Sequence, residues 1–262
     1  MAQPKLDPPR GLLNLDLSHS PVELARFHPS EPLSRLVEHF WSIRWDLRGQ
    51  SPFTSYSLPY PSVHLVVESG RWRLTGVTTR QFARTVSEQG AVFGIKFAPG
   101  GFRPFVGGSV ARFTDQTQPA DAVLGLVSEL PADATVASGL LVERTEAVLL
   151  AHLPEPDPRV GEVQALVQTI AERRDIVRVE QVASALNVRA LQRLFREYVG
   201  VSPKWVIQRY RLFEAAERLA AGADGAEVAQ SLGYFDQAHF IRDFKAMVGQ
   251  SPGAYASERG VA

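Results

Sequence analysis

The chain has 262 residues, of which 45% are hydrophobic and 21% charged, an ordinary globular composition that excludes a fibrous or disordered polymer and suits two domains of about 100–200 residues. Its 28 basic and 28 acidic side chains cancel, so no net field draws the molecule to nucleic acid or anionic lipid, and any such reading must rest on where the charges sit. The absence of cysteine excludes disulfides, thiolate nucleophiles and cysteine-ligated zinc.

The start, Met1 to Pro9, lacks the apolar core of a signal peptide, and no apolar run approaches the ~18 residues that span a bilayer, so a cytoplasmic location without a membrane partner is expected. Leu33, Leu36, Val37 and Phe40 recur at helical spacing and predict a helix over Pro32 to Phe40. Strand-like runs follow at Trp41 to Trp45, Ser62 to Val67, Arg71 to Leu74, Gln81 to Ser87 and Ala91 to Phe97, with Ser69-Gly70 reading as a hairpin turn. A second helix is predicted across Thr135 to Leu150, which makes this half α+β. Pro154, Pro156 and Pro158 then remove backbone donors and favour extended neighbours, the mark of a linker. The expected division is residues 1–153, a linker at 154–158, and an all-helical unit over 159–262.

The helical unit contains an internal repeat. Phe195-Arg196-Glu197-Tyr198-Val199-Gly200-Val201-Ser202-Pro203 is echoed forty-nine positions later by Phe244-Lys245-Ala246-Met247-Val248-Gly249-Gln250-Ser251-Pro252, and Val182 to Asn187 is echoed by Val228 to Gly233. Each copy reads as a short helix, a turn at Asn187 or Gly233 where a left-handed backbone is tolerated, and a second helix closed by Gly200 or Gly249. That is helix-turn-helix punctuation, which also occurs in plain packing units.

The surface of the second helix separates these options. Arg189, Gln192, Arg193 and Arg196 form one stripe, and Leu191, Leu194, Phe195 and Tyr198 form the opposite one. Arginine reads guanine edges or clamps phosphates and glutamine pairs with adenine, so an acid-free stripe of this kind suits the major groove better than it suits a solvated face of mixed sign. In the second copy Phe240, Phe244, Met247 and Val248 form the apolar stripe, leaving His239, Arg242 and Asp243 outside. Ser202-Pro203 starts a helix that continues to about Ala221. At 1.5 Å per residue it measures ~28 Å, close to the ~34 Å between successive major-groove faces.

The stretch from about Val177 to Tyr255 resembles the AraC/XylS family, whose DNA-binding unit has two helix-turn-helix motifs joined by one long helix. The resemblance is carried by Leu191-Gln192-Arg193-Leu194-Phe195-Arg196, the Gly200-Val201-Ser202-Pro203 corner, Gln208-Arg209-Tyr210-Arg211-Leu212, and above all Gly233-Tyr234-Phe235-Asp236-Gln237-Ala238-His239-Phe240 through Lys245, closing with Gly249 to Tyr255. It implies that Arg189, Gln192 and Arg193 read bases in the first motif, and Gln237, Ala238, His239 and Arg242 in the second. Two departures stand out: Ala256 where many members carry arginine, and Ile241 where some carry serine or threonine. The latter implies a second motif that reads fewer bases. One branch of the family repairs alkylated DNA through cysteines, which this chain lacks.

By the same resemblance the N-terminal half senses a small molecule or dimerises the protein, often on a cupin-like β-barrel. The stretch from about Phe27 to Gly125 is similar to an uncharacterised domain that precedes such DNA-binding units. Its histidines show no metal-ligand spacing, so neither metal nor cofactor is expected. Trp41, Tyr60, His64, Arg80, Lys96 and Phe102 offer an aromatic wall and cations for an acidic or aromatic effector, and the plainer assignment is barrel core and snorkelling surface charge. The expected partners are double-stranded DNA, a small-molecule effector, RNA polymerase and a second copy of the chain. The alternatives are a ligand-independent regulator whose N-terminal half only dimerises, and a small β-barrel enzyme with an appended helical module.

Overall fold

A computed structural model describes residues 22–173, 175–183 and 187–258. Its N-terminal half is built on a six-stranded antiparallel sheet in the order β1 (Val22–Phe27), β2 (Val37–Asp46), β7 (Gln89–Phe97), β4 (His64–Glu68), β5 (Arg71–Thr75) and β8 (Thr117–Pro119). A separate ribbon pairs β3 (Phe53–Ser57) with β6 (Phe82–Val86). Strand alternation divides the side chains between the two faces of the sheet. Phe40, Leu65, Leu74, Phe93, Ile95 and Phe97 point to one face, buried against Leu141, Val142 and Leu149 of a helix over Ser138–Ala151. On the other face Trp41 lies over Gly94 and Trp45 over Gly90, where any Cβ would collide with the indole. Phe53 and Val86 of the ribbon pack there against Trp45, Leu47 and Val92.

The segment predicted as a helix over Pro32 to Phe40 is instead a short 3-10 turn, Glu31–Leu33, running into β2. The cause is a β-bulge: Val37 pairs with Phe97 and His39 with Lys96, so Glu38 is an extra residue. Val37 and Phe40, three apart, then share the core face, which imitates helical spacing. The Ser69-Gly70 turn joins β4 to β5 with both residues at positive φ, 48° and 76°, as a two-residue hairpin loop needs.

The helices are α1 (Arg103–Val106), α2 (Ser138–Ala151), α3 (Pro158–Glu172), α4 (Val188–Tyr198), α5 (Pro203–Ala220), α6 (Gly225–Ser231), α7 (Gln237–Val248) and α8 (Pro252–Ser257). Asp157, at the end of the proline-rich stretch, caps α3 by accepting from the Arg159 amide, and its other oxygen accepts from the Tyr198 hydroxyl at 2.7 Å. Burial, joined by this carboxylate, raises the Tyr198 phenol to about 12. Ser202 and Ser251 cap α5 and α8 in matching fashion, each ahead of a first-turn proline.

Helix α5 is shared by two cores. Val206 and Ile207 pack with α3 and α4 around Val163, Leu191 and Phe195. Leu212, Ala215, Ala216 and Leu219 pack with α6 to α8 around Val228, Phe240 and Phe244. The N-terminal half contributes to both: Val77 and Leu36 join the first, Leu58 and Tyr60 the second. The short helix expected over Val182 to Asn187 falls largely on residues 184–186, outside the described residues. Asn187 is not left-handed, at φ −69°, because it caps the next helix. Gly233, Gly200 and Gly249 do take positive φ, at 71°, 98° and 89°.

Candidate functional site

Both candidate reading helices begin with a short polar cap that fixes where their first turn points. The Asn187 side chain accepts from the Ala190 amide at 2.8 Å, and that of Asp236 accepts from the His239 amide at 2.6 Å. In α4 the apolar stripe Leu191, Leu194, Phe195 and Tyr198 is buried, and Arg189, Gln192, Arg193 and Arg196 are exposed. Among the described residues none of these four side chains is engaged in a hydrogen bond or ion pair, so three guanidinium groups and an amide are available to a partner.

In α7 the buried stripe is Phe240, Phe244, Met247 and Val248, while Gln237, Ala238, His239 and Arg242 are exposed. His239 is restrained by Asp243, 3.2 Å away, and meets the Tyr234 ring edge-on. Asp243 also accepts from Gln208 of α5 at 2.6 Å, tying α7 to the connecting helix. Phe235, not among the candidate site residues, is 99% exposed one residue ahead of the α7 cap. A hydrophobic residue there normally packs on the fourth helical position, here Phe240, but Tyr234 occupies that contact with rings 5.2 Å apart. The adjacent Tyr234-Phe235 pair is the sequence signal of that competition.

In the N-terminal half, β-sheet register places His39, Lys96 and His64 in one row across β2, β7 and β4. Trp41 meets His64 edge-on at 6.2 Å, and Lys96 Nζ lies 4.1 Å from the Tyr60 ring centre and 2.8 Å from a Glu38 oxygen. Four of the six pocket candidates, Trp41, Tyr60, His64 and Lys96, thus come together. The other two lie elsewhere: Arg80 is exposed on the loop before β6, and Phe102 is core, against Phe97 and Phe113. Burial, then the Lys96 charge, lowers the His64 imidazole to about 3, so it is neutral and contributes no cation. Burial likewise presses Lys96 downward against the pull of Glu38.

Arg209 of α5, absent from the sequence-derived set, completes this cluster. It is fully buried, donates from Nε to the Pro59 carbonyl, and stacks over Phe213 with Tyr60 5.0 Å away. Its Nη1 and Nη2, with Trp41 Nε1 and Ser62 Oγ, have no hydrogen-bond partner among the described residues. No group of histidines and carboxylates among the described residues is placed to hold a metal.

Residues 25–119 match a family described as a domain of unknown function, DUF6597, and residues 182–258 match a helix-turn-helix domain. The chain is 32% identical over 108 residues to the HTH-type transcriptional regulator MtrA of Neisseria gonorrhoeae, covering 40% of this chain and 35% of that protein. Residues 182–258 are thus an AraC-type helix-turn-helix domain, similar to that of such regulators. The Transcriptional activator NphR of Rhodococcus sp is 28% identical over 216 residues, 79% of this chain and 60% of that one, so the chain spans between a third and three fifths of the length of these relatives. The solved structure of ToxT from Vibrio cholerae aligns over 90% of this chain and 97% of its own at 13% identity, with a TM-score of 0.36, too loose a likeness to bear on function. No helix among the described residues is long and apolar enough to cross a membrane.

Proposed function

We propose that the protein is a sequence-specific DNA-binding transcriptional regulator, with its N-terminal half placing it under the control of a small acidic effector. The observation that carries the DNA reading is the pair of capped helices, α4 and α7, which dock on one connecting helix and turn exposed polar stripes outward, that of α4 free of side-chain partners among the described residues. That helix has 18 residues, ~27 Å of rise, which suits two readers in adjacent major grooves. Arg189, Gln192, Arg193 and Arg196 form the stronger reader, and Gln237, Ala238, His239 and Arg242 the weaker one. A second copy of the chain and RNA polymerase are the further partners such a regulator takes.

Selection of bound fragments from random DNA tests the reading and supplies an operator. Arg193→Ala and Gln192→Ala each lose a base-edge hydrogen bond and cost ~1–3 kcal/mol at the bases they read, with altered preference there. Parental discrimination by both variants between the selected operator and scrambled DNA would remove α4 from the role of reader.

What favours effector control over a purely dimerising N-terminal half is the set of orphaned donors around residues 59–64. Buried polar groups are almost always satisfied, and two η nitrogens of a buried arginine beside Lys96 call for an anionic acceptor. Trp41 and Tyr60 provide a wall for its apolar part. A carboxylate bound there touches α5, the helix on which both readers dock.

A further inference from the structure

The outward stripe of α4 does not face open solvent along its whole length. It forms one wall of a cleft of about 530 Å³ whose other wall is the N-terminal segment carrying Arg103, Gly108 and Ser109. Three bonds fix this second wall against the C-terminal end of the reader. Ser109 Oγ donates to the Arg196 carbonyl at 3.1 Å, Thr114 Oγ1 donates to the Gly200 carbonyl at 2.6 Å, and Arg103 pairs with Glu197 at 2.9 Å.

The charge of the cleft is one-sided. Arg189, Arg193 and Arg196 line one wall, while the remaining charged lining residues, Arg103 and Glu197, neutralise each other across the cleft. At the edge stands Arg112, exposed, its guanidinium 4.6 Å from the Phe113 ring centre and beside Gly108. Clefts lined by one sign of charge concentrate the opposite one, and a base-reading helix brings a sugar-phosphate strand alongside it.

We propose that the Arg103–Arg112 segment of the N-terminal half is part of the DNA interface, holding the phosphate backbone that flanks the bases read by α4. The inference rests on the DNA-binding reading above and extends the footprint of the first motif into the other half of the chain. Arg112 neutralises a phosphate, and Ser109 and the Gly107-Gly108 turn let the strand approach closely. Because phosphates carry no sequence information, this contribution is equal on every sequence.

The test uses the full chain. Arg112→Gln removes one cation from an exposed site and is the cleaner variant, while Ser109→Asp places a carboxylate in the cleft and keeps a cap for the turn at Val110–Phe113 but loses the donor to the Arg196 carbonyl. Arg112→Gln is expected to weaken binding to selected and scrambled DNA by the same factor and to flatten the slope of log affinity against log salt by about 0.9. Ser109→Asp is expected to cost roughly tenfold or more through like-charge repulsion. Unchanged affinity and slope in Arg112→Gln overturns the inference, and tighter binding by either variant overturns it in favour of a wall that obstructs DNA. Arg193→Ala separates the two readings: altered base preference there with no effect of Arg112→Gln or Ser109→Asp leaves the reader intact and sinks only the extended footprint. A parent chain without sequence-selective binding sinks the reading beneath it.

Discussion

His64 and Glu38 show how single side chains in the N-terminal cluster make stability depend on pH. Burial first, and the Lys96 charge second, holds the His64 imidazole at about 3 against its ordinary 6.5. Below 6.5 the unfolded chain therefore takes up a proton that the folded chain refuses, and stability falls as pH drops toward 3. Burial pushes Glu38 upward, but hydrogen bonds from His39 and Lys96 and the Lys96 charge outweigh it and leave the carboxyl at about 2. Its contribution is complete above 4.5 and lost as pH falls toward 2. His64→Gln should therefore flatten the fall in urea midpoint between about pH 7 and 5, leaving the steeper loss below about 4.5 in place. Equal slopes for parent and variant would show that the imidazole takes its proton freely. The site is partly legible in the sequence at this scale. The α4 stripe is read from spacing alone because one helix determines it. Glu38, His39 and Arg209 escape because a bulge and a contact between residues 150 positions apart bring them to Lys96.

At the scale of elements, helix α5 joins the two motifs, and its packing divides between their two cores. Residues from Leu212 to Leu219 belong to the core of the second motif, while Val206 and Ile207 belong to the first. An insertion near the C-terminal end of α5 would thus fall inside one motif's own packing, and the register between motifs is set between Ile207 and Leu212. Two alanines placed after Gln208 add ~3 Å and turn the second motif by ~200° about the helix axis. The expected nuclease footprint shrinks to one groove segment, with weak, salt-sensitive binding retained from the first motif. A full two-groove footprint with parental helix content by circular dichroism would mean that the motifs move independently. The helical half was legible because helical periodicity and capping are local signals. The sheet was less so: Val22–Phe27 and Phe53–Ser57 are strands whose polar alternation hid them, and the bulge at Glu38 turned strand spacing into an imitation of helix.

At the scale of the whole molecule, the N-terminal half is not a passenger tethered by a linker. Leu36 and Val77 enter the core beneath α4, Leu58 and Tyr60 the core beneath α7. Gln164 donates to the Arg35 carbonyl at 2.6 Å, Gln81 to the Val248 carbonyl, and Arg209 to the Pro59 carbonyl. An anion held between Lys96 and Arg209 would bear on α5 and hence on the spacing of both readers, so effector and operator affinities should be coupled, each changing the other by the same factor. Benzoate and benzamide make a direct probe, since they share an aromatic ring and differ in charge. The full chain should melt at higher temperature with rising benzoate, by ~2.7 kcal/mol of added stability at a hundredfold excess over Kd, while benzamide has little effect. Lys96→Met keeps the aliphatic stem of the side chain and should abolish the shift. Operator affinity measured with and without benzoate then gives the coupling factor, to be matched by benzoate affinity measured with and without operator. Equal shifts from acid and amide, or none from either, would leave the N-terminal half a scaffold for dimerisation and the Arg209 donors without a ligand of this class.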